Sequence, residues 1–502
     1  MSGPLAGTSL DAAAATAPDP TPSSVRPDAA RPSVRRGART LFVGLGLLMI
    51  GNGLNGAVIG VRSASEGFGL TVSGIVMAGY FAGFLLSPSI IVPRIPTVGH
   101  IRVFAGLAST ASSVVLVHSV SSDPVVWTLM RAVFGFCMAG LYVVVESWLS
   151  EMTTVRNRGR VMAVYMIVSM GGLGVGQSLI AIADPASFRL FVLSSVLVSM
   201  SLVPVTLAAT TRAPTVRVPE PVSLRELVGW VPTGVIGSFA SGSATGIVLG
   251  LGAVYSTAIG LSPGRTAFFL VAPTIGAIAC QWPIGRLSDR VSRRSVILGV
   301  ALVAASISAT LMFVPEQSPI VPAMMIGLGG TLYPLYSLVV TYTLDWTPEG
   351  RSVGASGTLV RVNGAGALVG PLVTAPLMTA FGPTWFFWAL TIAFTTIACY
   401  VTYRMLVKEA MPIDRQREFV PYPARAGALA IGLVVRPVRT AGRIASGTAT
   451  TGARIAARKV TSRRHVRDVS RHPSSRPATG GAPGAPDAAG AQDDAGAPDG
   501  AG

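Results

Sequence analysis

The chain has 502 residues, 50% of them apolar and only 12% charged, with a mean hydropathy of +0.58. Soluble domains carry about 25% charged residues, so the polar surface of a large globule is missing and a soluble enzyme is excluded. The net charge of +17 raises nucleic acid as a partner, but no aromatic platform or recognition motif accompanies it.

The charge is also unevenly placed. Residues 1–40 hold five Arg and three Asp, and residues 407–502 hold fifteen Lys or Arg and eight acids. The segment 41–406 holds nineteen Arg and eleven acids, clumped between long apolar runs. That is the pattern of a polytopic helical membrane protein.

Residues 1–40, rich in Ala, Pro, Ser and Asp, read as a disordered tail, and the first apolar run begins only at Leu41. This does not fit a signal peptide. Twelve runs of about 20 residues follow. They fall near 41–61, 71–93, 101–120, 125–149, 161–183, 188–208, 229–253, 265–283, 295–314, 319–342, 353–379 and 384–406. They are expected as helices, because the bilayer offers no partner to free backbone groups and the runs are too long for barrel strands. The expected fold is an all-α membrane protein of twelve transmembrane helices with disordered cytoplasmic tails. Its parts are a bundle over 41–208, a central cytoplasmic loop over 209–228 and a second bundle over 229–406. A basic segment follows over 407–445, with Ala424 to Val435 a candidate interfacial helix beside anionic lipid, and then a disordered tail over 446–502.

Arginine counts set the expected orientation. Loops on the side of the termini carry thirteen Arg and the opposite loops three, which places both termini in the cytoplasm. All seven Trp fall near an expected span end, as interfacial belts do. Cys137, Cys280 and Cys399 fall inside apolar runs without CxxC spacing, so small core residues are expected rather than a disulfide or a metal site.

The two halves resemble each other. Gly69-Leu70-Thr71 before the second span returns as Gly260-Leu261-Ser262 before the eighth, 191 positions on. Val98-Gly99-His100-Ile101-Arg102-Val103 sits where Val291-Ser292-Arg293-Arg294-Ser295-Val296 sits later, and Glu146 at the end of the fourth span is matched with Asp345 at the end of the tenth. Together these indicate two six-helix pseudo-repeats.

Twelve spans as six plus six, with a basic loop between the eighth and ninth, resemble the major facilitator superfamily. The segment Gly285-Arg286-Leu287-Ser288-Asp289-Arg290-Val291-Ser292-Arg293-Arg294 is similar to its cytoplasmic signature. The strings Val143-Val144-Val145-Glu146-Ser147, Arg156-Asn157-Arg158-Gly159-Arg160 and Gln281-Trp282-Pro283-Ile284-Gly285-Arg286 resemble its bacterial YcaD-like branch. The resemblance covers 41–406 and implies alternating-access transport in a bacterial inner membrane. The first-half signature copy keeps Gly99 and Arg102 but has no Asp, and the fifth span lacks the Gly-Pro of the drug–proton antiporter motif.

Ion pairs suit an inward gate, because their worth depends on alignment and dielectric. The expected pairs are Arg102 with Glu146, and Arg290 or Arg294 with Asp345. Asp289 is the signature carboxylate, which the resemblance places near the start of the eleventh span, while Arg158 and Arg351 brace neighbouring loops. The bland alternative is that these arginines only set topology.

Inside the spans the only deep arginines are Arg131 and Arg361. Each costs about 2.5–3.5 kcal/mol at a helix centre on insertion scales, so each should face water or a partner. The pair reads as a cavity lined by guanidinium groups for a carboxylate or phosphate. Alternatively, Arg131 is structural or snorkels to the outer face. Asn52 and Asn55 bind solute or hold helices together; Tyr80, Gln177, Tyr333, Tyr336 and Asn363 are weaker cavity candidates. Gly364, Gly366 and Gly370 are expected to thin the eleventh span.

The expected function is a monomeric secondary or facilitative transporter of a small solute, an organic anion or amphiphile in its sharper form. A coupling ion or proton is open, since no span centre holds a carboxylate. No cofactor, metal or nucleic acid is expected. A drug-type efflux antiporter is the second reading. A non-transporting receptor or scaffold acting through its basic tail is the third.

Overall fold

The structure is a computed structural model that describes residues 31–152, 158–207, 222–407, 409, 411–413 and 416–419, without the side chains of 31–38, 150–152 and 158. Among these residues there is no strand. Twelve helices are long and apolar enough to cross a membrane. In chain order, spans one to six are Arg39–Ser65, Gly69–Val98, His100–Val120, Pro124–Leu149, Gly159–Ile182 and Arg189–Leu207. Spans seven to twelve are Pro232–Ala258, Pro263–Arg290, Arg293–Leu311, Ile320–Asp345, Ser352–Phe381 and Trp385–Val407. Successive spans run in opposite directions. The side where spans one and twelve approach the chain's ends is the tail side below, and the other is the far side.

The boundaries differ from the expectation where polar residues continue a helix past the apolar run. Span eight extends to Arg290, so the signature forms its last turns rather than a loop. Span ten ends on Asp345 itself. Before span seven the expected loop contains a separate helix, Leu224–Trp230, started by a capping box in which Ser223 and Glu226 satisfy each other's backbone. Val231 and Pro232 break it from the span. Of the tail expected as disordered over 1–40, residues 31–40 are helical and continue into span one, while residues 1–30 and 420–502, and with them the candidate interfacial helix, lie outside the described residues.

The two halves are built by the same close crossings. In the first half a Cβ on Gly83 would strike the Ala132 carbonyl, and one on Gly135 the Tyr80 backbone, so spans two and four touch backbone to backbone. Gly176 meets Ile50 in the same way, joining spans one and five. In the second half Gly276 against Ile326 and Gly329 against Pro273 join spans eight and ten. Gly242 against Asn363, and Gly366 and Gly370 against Phe239 and Ser243, join spans seven and eleven. Lipid tails supply no hydrophobic drive between helices, so small residues that allow close packing choose the partners.

The halves meet toward their far-side ends. Gly60 of span one abuts Ala253 of span seven, Gly74 of span two abuts Ala375 of span eleven, and Gly174 of span five lies against Thr274 of span eight. The hydroxyls of Thr71 and Thr379 are 2.7 Å apart. Span seven carries a π-turn over Ile247–Leu251 just where it reaches this contact. Two tryptophans depart from the interfacial expectation: Trp127 packs edge-on to Phe68, His118 and Phe191, and Trp148 stacks on His100. Both are buried. Of the cysteines, Cys399 is exposed rather than in the core.

Candidate functional site

Behind the far-side contact lies a narrow cavity between spans of both halves. Asn52, Tyr80, Arg131 and Gln177 form its polar wall, all from the first half. Leu249, Ala253 and Leu270 of the second half face them. No Asp or Glu lines it.

The Gly135 crossing puts Arg131 beside Tyr80. Arg131, only 4% exposed, donates through Nη1 to Asn55 Oδ1 at 2.8 Å. Its guanidinium lies 5.0 Å from the Tyr80 ring centroid and 6.0 Å from that of Phe134. A planar cation held by an amide oxygen and two aromatic faces is oriented without a neutralising acid among these contacts. Asn52 Nδ2 and Gln177 Oε1 are buried and have no hydrogen-bond partner. Buried polar atoms are normally paired, so this wall offers one donor and one acceptor beside a guanidinium.

Four of the residues singled out in the sequence therefore share one cavity, and Asn55 buttresses it from behind. The rest do not line it. Arg361 is exposed and lies one turn tail-ward of Gly364, whose Cβ would approach Leu85 of span two. The expected two-guanidinium cavity is therefore corrected to a single-arginine one. Asn363 donates to the Ser238 carbonyl at 3.1 Å and so ties span eleven to span seven. Tyr333 and Tyr336 are buried in span ten.

The tail-side ends also differ from the expected gate. Asp345 is bonded by Arg293, not by Arg290 or Arg294. Arg293 is 1% exposed and is further fixed by Ser288 Oγ at 2.9 Å. Arg294 instead lies over the rings of Tyr342 and Trp346, and Arg290 is exposed. In the first half Arg102 is exposed and makes no pair with Glu146, which is buried and accepts from the Tyr165 hydroxyl at 2.9 Å. The correction has a register cause. Trp148 and Trp346 stand 198 positions apart beside the ends of the two spans, and on that spacing Ser147 rather than Glu146 falls opposite Asp345. His100 Nε2 bonds Ser147 Oγ at 3.0 Å, a neutral copy of the Arg293–Asp345 pair.

The second half carries a contact that motif reading missed. Residues Gln416–Phe419, beyond the last span, cross its tail-side face. Arg417 N–H donates to Asp345 Oδ1 at 3.0 Å, and the Arg417 carbonyl accepts from Arg293 Nη2 at 2.6 Å. Arg417 Nη1 donates to Ser352 Oγ at 3.2 Å. Phe419 N–H donates to Asp289 Oδ1 at 2.8 Å, so the signature carboxylate is met by this segment rather than by the start of span eleven. The Phe419 ring fills the space over Gly285, where a Cβ would overlap it. Arg351 bonds Glu226 at 3.0 Å and lies over Trp230, bracing span eleven against the short helix. The backbone and hydroxyl of Ser223, and then Arg351, hold the Glu226 carboxyl below its ordinary value. Arg158 begins a helix, and its side chain lies outside the described residues.

Among the described residues, a twelve-helix bundle of two like halves with a cavity between them has the architecture of a multi-pass membrane protein. The family model described as Major Facilitator Superfamily matches residues 233–457. Over that stretch the chain is similar to that superfamily, and along most of its spans it is similar to the YcaD group. The uncharacterized MFS-type transporter YcaD of Escherichia coli is 26% identical over 352 residues, 68% of this chain and 88% of the relative. Two solved structures share the fold. A mutant of the nucleoside transporter NupG has a TM-score of 0.62 at 11% identity, covering 75% of this chain and 100% of that one. The human organic anion transporter MFSD10 has a TM-score of 0.50 at 13% identity, covering 73% and 99%.

Proposed function

We propose that the chain carries a small organic anion with an apolar body across the cytoplasmic membrane of a bacterium by alternating access. The carrying observation is Arg131 on the polar wall, oriented by Asn55 and flanked by the unpartnered amide atoms of Asn52 and Gln177. A guanidinium matches a carboxylate with two parallel hydrogen bonds, and the leucines of the opposite wall suit a hydrocarbon part. The solute would then touch both halves at once, so its binding free energy would depend on how the halves are set. That dependence is what moves a two-state equilibrium.

The arginine excess on the tail side supports a cytoplasmic placement of that side. On this orientation the far-side contacts close the cavity to the outside, and the described state faces inward. Gly60 against Ala253 and Thr71 against Thr379 would have to part for outward opening, with the π-turn of span seven as a place to flex.

The test is flux in proteoliposomes with a panel of aliphatic and aromatic monocarboxylates, their amides and their amine analogues. Uptake of carboxylates that falls strongly in Arg131→Gln supports the reading. Transport of the neutral or cationic analogues alone, or full carboxylate flux in Arg131→Gln, overturns it.

A further inference from the structure

Spans eight and eleven of the second half meet spans five and two of the first, so their tail-side ends must move relative to the first half in any rocking motion. Asp289 closes span eight and Ser352 opens span eleven. Gln416–Phe419 bonds both, and bonds the Arg293–Asp345 pair of spans nine and ten as well. One short segment thus joins the ends of two helices that face the other half to two that do not. It does so largely through main-chain groups, with two N–H donors on two carboxylates and one carbonyl on a buried guanidinium. Hydrogen bonds to ionised groups are the strong class.

We infer that Gln416–Phe419 is a strap that holds the tail-side ends of spans eight to eleven in their far-side-closed arrangement, and that its release permits the tail side to close. The inference rests on the alternating-access reading above. While strapped, Asp289 and Asp345 each give an oxygen to the strap backbone. Asp289 Oδ1 also lies 3.5 Å from Arg293, and release of the strap would free one hydrogen-bond site on each carboxylate for tail-side arginines of the first half, such as the exposed Arg94 and Arg102. The signature glycine acquires a specific reason in this arrangement, because the three atoms nearest to a Cβ on Gly285 belong to the Phe419 ring. Any side chain there displaces the strap. The strap is also the first stretch of the basic tail, so whatever engages that tail would act on the transport cycle through these four bonds.

The test uses the full chain with its native cysteines replaced and spin labels at Ile101→Cys and Val291→Cys, exposed tail-side positions of the two halves. Pulsed dipolar spectroscopy reads the ratio of short to long distances. Gly285→Ala, which displaces the Phe419 ring, and Phe419→Ala, which removes the ring that seats the strap, should each raise the short-distance population about tenfold, the size expected if the unseated strap gives up one hydrogen bond to a charged group. Phe419→Ala lies outside the spans and keeps the test decisive if Gly285→Ala fails to fold. Two distances whose ratio is unchanged in the variants overturn the strap while leaving alternating access standing. A single distance common to the parent and both variants overturns alternating access, and the strap with it.

Discussion

Arg293 and Asp345 form a buried ion pair between the tail-side ends of spans nine and ten, where the other half places the neutral bond of His100 and Ser147. The two halves thus share a joint and differ in its charge. A buried pair has desolvation to overcome, and its geometry and extra hydrogen bonds decide whether it is worthwhile. Here Ser288, the Arg417 carbonyl and the Arg417 N–H supply those bonds.

Removing one partner should therefore cost more than removing both. Asp345→Asn leaves the buried Arg293 guanidinium with only the half-exposed Asp289 carboxylate at 3.5 Å, an expected loss of about 3 kcal/mol, the low end for breaking a buried pair. Thermal unfolding in detergent should show a lower Tm for Asp345→Asn than for the double variant Arg293→Met/Asp345→Leu. Equal or reversed Tm values would show that the pair contributes little at this joint.

Solute recognition should depend on the shape of the cation as well as its charge. Arg131→Lys keeps the charge but loses the planar fork and its fit to Asn55, and should weaken carboxylate binding at least tenfold, about 1.4 kcal/mol. Asn55→Ala, which removes one hydrogen bond from the guanidinium and leaves its ring contacts, should weaken it less. Calorimetric titration of the purified protein with a transported carboxylate measures both, and an undiminished affinity in Arg131→Lys would remove bidentate recognition.

The close crossings should tolerate no added methyl where the obstacle is backbone. Gly83→Ala meets the Ala132 carbonyl and Gly135→Ala the Tyr80 backbone. Each should destabilise by about 1–3 kcal/mol, the usual cost of overpacking. Gly56→Ala and Gly106→Ala meet nothing within 4 Å and should leave the Tm unchanged. A similar Tm loss in all four would count against the crossing as the cause, since helix propensity alone favours Ala over Gly.

Docking of the short helix Leu224–Trp230 should be acid-sensitive. The folded Glu226 carboxyl is held below its ordinary value of 4.5 by Ser223 and then Arg351. Its contribution is therefore complete above pH 4.5 and fades as the pH falls through the lower folded value. A fluorophore on the exposed Arg225 side should report a docked helix at neutral pH that loosens in that acidic window. In Glu226→Gln the same signal should be pH-independent. A transition in the variant at the same pH would assign the sensitivity to another group.

Much of the site was legible in the sequence because charge and amide groups are scarce inside membrane spans. Asn52, Asn55, Arg131 and Gln177 stood out for that reason, and they converge on one wall. Arg361 stood out equally, yet lies elsewhere. Its rotational position on span eleven depends on which face that helix turns to span seven, and only the Gly366 and Gly370 crossings settle it. Motif matching placed Glu146 opposite Asp345, whereas packing makes Ser147 the equivalent, one residue on.

The sequence by itself determined the number of spans, their halves and the uneven charge, because each helix must satisfy its own backbone in lipid and that requirement is local. Only the tertiary structure decided who meets whom: Arg293 rather than Arg290 at Asp345, a single arginine in the cavity, and a strap over Gly285 from residues more than a hundred positions away. Those choices depend on where bare backbones can cross and how each helix is turned at the crossing. Hydropathy along one chain carries no record of either.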